Sequence, residues 1–518
     1  MVAKPGANAG GSKLLFENSD WNFDTLSRTY DAIEEVALGD LHLDVYPNQM
    51  EIISSEQMLD AYASIGMPLM YRHWSFGKHF VNEELQYRKG RRGLAYELVI
   101  NSNPCIVYLM EENTMAMQAL VTAHAAFGHN HFFKNNYLFQ QWTDAGAILD
   151  YMEFAKNYIA RCEEKYGLSA VESILDAAHA IMDHGVFRYR RTPRLSSEKE
   201  RDRARERQEY EERSFSDLWR TLPERKDAPA YEETEQEVLE RKRALKLPEE
   251  NLLYFLEKNS PLLKPWEREV LRIVRVIAQY FYPQRQTKVM NEGCATFVHY
   301  TIMNMLFDRG RVGEGTMLEI LQSHSNVVFQ PDFDDPRYSF MNPYALGFAM
   351  MQDIQRICME PTAEDRDWFP VMAGNGDWRG TLLDAWANHR DESFILQYLS
   401  PNLIRKMRLF VLADDATESE YEVAAIHDER GYEKVRSALA RNLDVGANQP
   451  DIQVVDVDLR GDRKLRLQHT VHQGVLLSEE ARDATLRHIR RLWGYDVSLV
   501  GIDAQSNAAL YEVSAEQA

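Results

Sequence analysis

The chain has 518 residues, too many for one compact core, so two or three domains are expected. Its 80 acidic residues outnumber 59 basic ones, and the net charge of −21 argues against binding to nucleic-acid phosphates or to an anionic membrane surface. The sequence has no signal-peptide core, no run of eighteen apolar residues and no CxxC pair among its four cysteines. These features predict a cytoplasmic protein with free thiols, no transmembrane segment and no nucleic-acid partner.

The first elements in chain order are predicted to be a flexible leader and two helices. Residues 1–18 contain several glycines and form the leader. Residues 21–38 have the apolar spacing of a helix, and residues 55–65 form another. The following stretch, YRHWSFGKHF, is interpreted as the packed end of a helix, with His73 buried and His79 exposed.

A β-hairpin followed by a helix is predicted next. Residues 96–100 and 105–110 are two short strands separated by the turn-forming Asn-Ser-Asn-Pro sequence. A helical pattern starts at Asn113 or Thr114, both of which are good N-cap residues.

This helix carries three histidines in eight positions, flanked by phenylalanines. In a regular α-helix His124 and His131 lie within roughly 20° of one face, whereas His129 is turned away by about 140°. Gly128 can bend the helix and bring His129 inward. Neutral imidazoles in apolar surroundings are typical ligands of a divalent transition metal. The alternative is a set of ordinary hydrogen-bonded histidines in an aromatic core.

Two further helices and a charged insertion follow. Residues 144–166 and 168–183 have strong helical periodicity, and His179 and His184 repeat the spacing of the earlier histidines. Residues 194–249 mix acidic and basic side chains with few aliphatic ones, which predicts a solvated insertion.

Residues 288–307 form a helix with an unusual polar stripe. Glu292 and His299 are seven positions apart, so they lie within about 20° of one face in apolar surroundings. This spacing favours a functional pair over a dipole-stabilising acid and a surface histidine. Tyr344, near the start of the next helix, is a candidate hydrogen-bond donor to a developing oxyanion, or a core tyrosine.

Beyond residue 400 the pattern changes to short strands and amphipathic helices. The order β-β-α-β-β-α-β predicts a small α+β domain, residues 401–518, with a mostly antiparallel sheet. The predicted strands are 406–412, 421–426, 452–458, 464–470 and 497–502, and the helices are 433–443 and 478–493.

Several motifs resemble those of the SpoVR family (stage V sporulation protein R-like), from Trp21 to the C-terminal domain: HAAFGHNHFFKNN, MNEGCATFVHY, YPNQMEII, HWSFGKHF and NPYALG. The resemblance implies a cytoplasmic bacterial protein connected with spore cortex formation. It also implies relatives in bacteria that form no spores, often encoded beside a PrkA-type serine kinase and an operon partner.

The order of parts is also similar to that of gluzincin metallopeptidases, in which a later helix adds a glutamate to the zinc ligands of a HExxH helix. By this analogy the ligands are His124, His129 or His131, and Glu292, with His299 nearby. Ala125 stands where the general base is expected, and the histidines are five or seven positions apart instead of four. The substitute base is then one of the following acids: Glu111, Glu112 or Asp183.

The resulting fold class is a mainly α N-terminal domain, residues 19–400, with a small β-hairpin or sheet and a zincin-like helix pair, followed by the α+β domain. One functional hypothesis is a metal-dependent hydrolase of amide or peptide bonds, with zinc as the cofactor and a peptidoglycan precursor as the substrate. The other is a non-catalytic regulatory protein that acts with a PrkA-type kinase system in stress or sporulation. A di-iron carboxylate bundle is disfavoured because neither main motif contains Glu-x-x-His.

Overall fold

The computed structural model describes the following residues: 14–63, 70–74, 97–188, 201–202, 205, 235–338, 341–413, 422–425, 429–457, 462–472 and 474–515. The chain divides into two compact units, each made of two stretches: Met1–Lys156 with Pro283–Val445, and Asn157–Tyr282 with Gly446–Ala518. The predicted domain limits after residues 18 and 400 stay predictions. His79 and most of the predicted insertion 194–249 lie outside the described residues.

Helices make up most of the first unit, as predicted. Among the described residues, no helix is both long and apolar enough to cross a lipid bilayer. The helices of the first unit are Phe23–Glu34, Ser55–Ala63, Met115–Thr122, Asn130–Asn135, Tyr137–Trp142, Lys288–Asp308, Glu314–Val327, Pro343–Met359, Ala363–Trp368, Trp378–Asn388, Asp391–Tyr398, Pro401–Lys406 and Glu429–Leu443, with π-helical turns at Glu35–Asp40 and Ala123–His129.

A three-stranded sheet lies beside these helices, and it confirms the predicted hairpin. Its strands are β1 (Asn48–Ile53), β2 (Glu97–Ile100) and β3 (Cys105–Met110). The order is β1-β3-β2, with β1 parallel to β3 and β2 antiparallel to β3. The first residue of β2 is Glu97, which is paired with Leu109 across the hairpin.

Three helical segments pack closely around one another in the first unit. We call residues 115–135 the histidine helix, Lys288–Asp308 the glutamate helix and Pro343–Met359 the tyrosine helix. A Cβ atom on Gly128 of the histidine helix would lie 2.5 Å from Ala295 Cα. A Cβ atom on Gly293 would lie 2.6 Å from Gly347 Cα. The backbones therefore approach more closely than larger residues at these glycines permit.

The N-terminus of the glutamate helix is held by a buried carboxylate from another helix. The two carboxylate oxygens of Asp391 accept the backbone N–H groups of Val289 and Met290, each at 2.9 Å. These are N–H groups that the first turn of a helix leaves without an internal partner. Burial nevertheless raises the pKa of Asp391 to about 7, against the lowering effect of these hydrogen bonds.

Asp391 is expected to make stability depend on pH. A raised pKa in the folded state means that the folded protein keeps a proton that the unfolded chain loses, so stability is lost as the pH rises from about 4 to about 7. Relative to Asp391→Asn, the wild-type free energy of unfolding should fall by about 2 kcal/mol between pH 5.5 and pH 8. Urea titrations at the two pH values measure this difference. Parallel pH profiles of the two proteins would contradict it.

The second unit combines helices with a four-stranded sheet. Its strands are β6 (Asp451–Val457), β7 (Leu465–Val471), β8 (Val497–Asp503) and β9 (Ala509–Ala515), in the order β6-β7-β8-β9. The β6–β7 and β8–β9 pairs are antiparallel, and β7 and β8 are parallel. The helices are Leu168–Ala180, Glu235–Leu245, Leu252–Asn259 and Glu479–Trp493, with most of Ile148–Tyr166, Pro265–Gln286 and Val445–Asn448, and a 3-10 turn at Met182–His184.

The predicted α+β region is correct in kind but differs in detail. The predicted strand 406–412 begins at the last residue of the helix Pro401–Lys406, because the Ser400 side chain accepts the Leu403 N–H and starts that helix. Only Val411–Ala413 is extended (β4), and it pairs with Glu422–Ala425 (β5) in a separate two-stranded sheet. Strand β9 was not predicted, since none of its positions is buried and it has little apolar alternation.

Candidate metal centre

The winding of the histidine helix changes at its centre. The helix begins at Thr114, whose side chain accepts the Met117 N–H. Between Ala123 and His129 it is π-helical, and the Asn130 N–H donates to the carbonyl of Ala125, five residues earlier. Because the hydrogen-bonded turn now spans five residues, side chains five positions apart lie above one another.

The π-helical turn brings His124 and His129 together. Their ring centroids are 4.7 Å apart, with an angle of 83° between the planes. The expectation that His129 points away holds only for a regular α-helix, and here the backbone is not regular. The predicted bend at Gly128 takes the form of this turn.

Neighbouring side chains form hydrogen bonds with the backbone at the π-helical turn and beside it. Asn48 donates its side-chain amide to the carbonyl of Ala126 at 3.1 Å. Asn130, directly after the turn, donates to the side chain of Asn48 and accepts the backbone N–H of Tyr46. The start of β1 is therefore tied to the turn by hydrogen bonds, which compensate for the changed helical pattern.

Glu97 completes a group of three donor side chains with His124 and His129. One donor atom from each of the three lies within 4.8 Å of the others. The carboxylate oxygen of Glu97 is 3.6 Å from His124 Nε2. Among the described residues this is the only such convergence of three histidine, cysteine or acidic side chains. Glu97 was not predicted as a site residue, although an acid at the start of an otherwise apolar strand is a usable signal.

The glutamate helix places two more polar side chains against His129. A carboxylate oxygen of Glu292 is 3.6 Å from His129 Nε2. The side-chain oxygen of Asn291 is 2.9 Å from His129 Nδ1. An N–H on Nδ1 donating to this oxygen leaves the lone pair of Nε2 directed at the group, which is the usual arrangement for a metal-binding histidine. The structure thus places Glu292 beside His129, while the three donor atoms that converge are those of Glu97, His124 and His129.

His299 and a further histidine extend the group in a row. His299 Nδ1 is 2.9 Å from His124 Nδ1, and His299 Nε2 is 3.0 Å from His324 Nδ1. Burial holds the pKa values of His124 and His299 well below the usual range, and lowers the pKa of His324 to about 4. All three imidazoles are therefore neutral at physiological pH. His324 was not predicted, because only the fold brings it here.

The environment of Glu97 disfavours its charged form in the absence of a cation. Burial raises the pKa of Glu97 to about 8, and the charge of Glu292 raises it further in the same direction. Within the described part of the chain, the buried atoms His124 Nε2 and Glu292 Oε2 have no hydrogen-bond partner. Buried polar atoms without partners are destabilising, and a cation bound by His124 Nε2 would satisfy that atom.

Tyr344 lies beside the same histidines. It is in the first turn of the tyrosine helix, where the Asn342 side chain accepts its backbone N–H at 3.0 Å. Its ring centroid is 6.3 Å from that of His124, with 21° between the planes. The residue chosen from sequence as an oxyanion donor is therefore a neighbour of the group.

His131 has a different environment from the other two histidines. Its Nδ1 atom accepts the backbone N–H of Asp44 at 3.0 Å and lies 3.1 Å from the Asn135 amide nitrogen. Its ring packs edge-on against Trp386. These contacts give it a role in holding the chain near Asp44 and do not place it in the donor group.

None of the three acids named as substitute bases belongs to the converging donor group found in the described residues. Glu111 is exposed, and Glu112 accepts the backbone N–H and the hydroxyl of Ser55. Asp183 is exposed in the 3-10 turn of the second compact unit. In the described residues, the acids that accompany the histidines are Glu97 and Glu292.

Comparisons with known proteins give a consistent assignment. A family profile described as "SpoVR like protein" matches residues 20–448, and one described as "SpoVR-like C-terminal domain" matches residues 450–504. A protein of Escherichia coli (strain K12), named "Uncharacterized protein YcgB", is 54% identical over 485 residues, which cover 94% of this chain and 93% of that protein. No solved structure matches the chain.

Proposed function

The chain belongs to the SpoVR family, and from that premise we propose that it is a metal-dependent hydrolase whose metal ligands are Glu97, His124 and His129. The observation that carries the proposal is the convergence of these three donor atoms within 4.8 Å in a largely buried site. The unsatisfied Nε2 atom of His124 supports it independently. Two imidazoles and one carboxylate form the ligand set of many catalytic zinc sites, so zinc is the proposed metal.

The proposed site resembles a zincin site in the way that one helix places two histidines side by side. A HExxH helix places two histidines one α-helical turn apart, and here a π-helical turn does the same for a spacing of five. In gluzincins the glutamate of the later helix is a zinc ligand, whereas here the proposed third ligand is Glu97 and the later-helix Glu292 lies beside the second histidine. The general base does not follow His124 in sequence, because Ala125 occupies that position.

The remaining polar side chains supply the other roles that hydrolysis requires. A divalent metal in this site would polarise a bound carbonyl and acidify a bound water molecule. Glu292 is the proposed general base, because its unsatisfied oxygen lies beside His129. Tyr344 is the proposed hydrogen-bond donor to the oxygen that becomes negative during attack on an amide. Asn291 and His299 orient the two ligand histidines.

The proposed substrate is an amide or peptide bond in a cell-wall or spore-cortex precursor, which follows from the family resemblance. The alternative function is a regulatory protein that works with a PrkA-type kinase system. In the hydrolase the donor group catalyses bond cleavage, and in the regulatory protein it does not. A Glu292 variant distinguishes these two functions.

Replacing Glu292 with glutamine is expected to reduce hydrolysis about 100-fold, the scale of a positioned general base, while metal stays bound. The assay measures release of new amino groups from soluble peptidoglycan precursors and from a fluorogenic peptide library, with zinc-loaded protein. Glu112→Gln is the matched control, because that acid is exposed and accepts hydrogen bonds from Ser55, and it should keep full activity. Stoichiometric zinc with no release by wild type from either substrate set would favour the regulatory function.

A further inference from the structure

The π-helical turn Ala123–His129 takes the usual hydrogen-bond donor away from one buried carbonyl. In a regular α-helix the carbonyl of Ala126 accepts the N–H of Asn130, four residues later. Here the Asn130 N–H donates to the carbonyls of Ala125 and Phe127. A buried carbonyl that loses its donor destabilises the turn unless another group supplies one.

The side chain of Asn48 supplies this donor. Its amide nitrogen is 3.1 Å from the carbonyl oxygen of Ala126 and 3.1 Å from the hydroxyl of Tyr30. Its amide oxygen accepts from the side chain of Asn130 at 2.8 Å. Both amide hydrogens and the amide oxygen are therefore used, which fixes the end of the amide that faces the turn.

The backbone on both sides holds this asparagine pair in place. Asn48 is the first residue of β1 and is paired with Cys105 of β3. Asn130 is buried, and its side chain forms two hydrogen bonds with the backbone of Tyr46. The amide of Asn48 thus meets the turn from a strand whose position is set by other contacts.

The winding of the turn decides whether the two ligand histidines can share a metal. In the π-helical form the ring centroids of His124 and His129 are 4.7 Å apart. In a regular α-helix, side chains five positions apart are turned from each other by about 140°. A return to α-helical hydrogen bonding would therefore separate the two rings without removing either ligand.

We propose that Asn48 is a positioning residue that keeps the turn π-helical and so keeps His124 and His129 side by side. The inference deepens the proposed function and rests on it, because these histidines are two of the three proposed ligands. Asn48 acts through the backbone, by its hydrogen bond to the carbonyl of Ala126.

Asn48→Ala tests the proposal in the full chain, with zinc as the probe. Loss of the amide should lower zinc affinity about 10- to 100-fold, the usual effect of removing a group that orients a metal ligand. Competition with a chromophoric chelator measures the affinity, and urea unfolding establishes that the variant is folded. Zinc affinity equal to that of wild type in folded Asn48→Ala protein would overturn the proposal.

Asn135→Ala is the matched control. Asn135 donates to the carbonyl of Asp44, so this variant also loses a side-chain hydrogen bond between residues 44–48 and the histidine helix, but away from the turn. It should bind zinc as wild type does. Equal losses of affinity in Asn135→Ala and Asn48→Ala would contradict a specific role for Asn48.

Deletion of Ala126 tests the winding itself. It removes the carbonyl that Asn48 serves and leaves His124 and His129 four positions apart, on one face of a regular α-helix. This variant should keep the zinc affinity of wild type, and adding Asn48→Ala to it should cause no further loss. A further loss of about tenfold would show that Asn48 acts by another route and would overturn the proposal.

A measurement without metal separates this inference from the proposed function. Nuclear Overhauser contacts between the ring protons of His124 and His129, in chelator-treated full-length protein, should be present in wild type and absent in Asn48→Ala. Equal contacts in both proteins would overturn the inference. A wild-type chain that shows the contacts and binds no zinc would overturn the proposed function, whereas their loss in Asn48→Ala would still support the role of Asn48 in the turn.

Discussion

Replacing His129 with alanine is expected to abolish stoichiometric metal binding by the purified protein. His129 supplies one of the three converging donor atoms, and its Nε2 atom is also the neighbour of Glu292. Loss of a residue that only orients a ligand typically lowers metal affinity 10- to 100-fold, so loss of a ligand itself should exceed that range. Elemental analysis after dialysis against zinc gives the stoichiometry.

The matched control for this variant is His472→Ala. His472 is a histidine with a mostly exposed side chain on the second compact unit, so its removal should leave the metal content unchanged. Circular dichroism and urea unfolding establish that His129→Ala is folded. A folded His129→Ala protein that retains one equivalent of zinc would show that the donor group is not the site.

Replacing Gly293 with alanine is expected to lower the free energy of unfolding by about 3 kcal/mol or more, at the upper end for an overpacked core. The new Cβ would lie 2.6 Å from both the Cα and the carbonyl carbon of Gly347. These are backbone atoms, so no side-chain rotation can relieve the overlap. The glutamate and tyrosine helices must separate, which also moves Glu292 and Tyr344. Urea titration at constant pH measures the loss.

Gly315→Ala is the control for the packing effect. Gly315 is in the first turn of the helix Glu314–Val327, and a Cβ atom there meets nothing within 4 Å. Alanine is favoured over glycine in a helix by roughly 1 kcal/mol, so this variant should be as stable as wild type or slightly more stable. Equal stability of Gly293→Ala and Gly315→Ala would contradict the tight contact between the helices.

Local sequence signals were sufficient for much of the fold. The hairpin of β2 and β3 follows from two short apolar runs around a turn, and the cap at Thr114 marks the start of the histidine helix. The stripe formed by Glu292 and His299 was predicted correctly because the glutamate helix is a regular α-helix over its full length. In each of these elements, short-range interactions determine the structure.

Two features of the candidate site could not be found in this way. The π-helical turn at Ala123–His129 changes which histidines share a face, and it depends on contacts with Asn48 and Ala295 from distant parts of the chain. Glu97 and His324 join the group only through tertiary packing. The acids that accompany the histidines in the described residues are Glu97 and Glu292, and Glu97 has no sequence link to the histidine motif.

The most direct test of the metal centre is an anomalous difference map at the zinc absorption edge, from crystals grown without chelator. We expect one strong peak bounded by the Glu97 carboxylate and the Nε2 atoms of His124 and His129, at ligand distances of about 2.0–2.2 Å. Well-ordered density for these three side chains without any peak between them would contradict the proposed function, and so would a peak at another position.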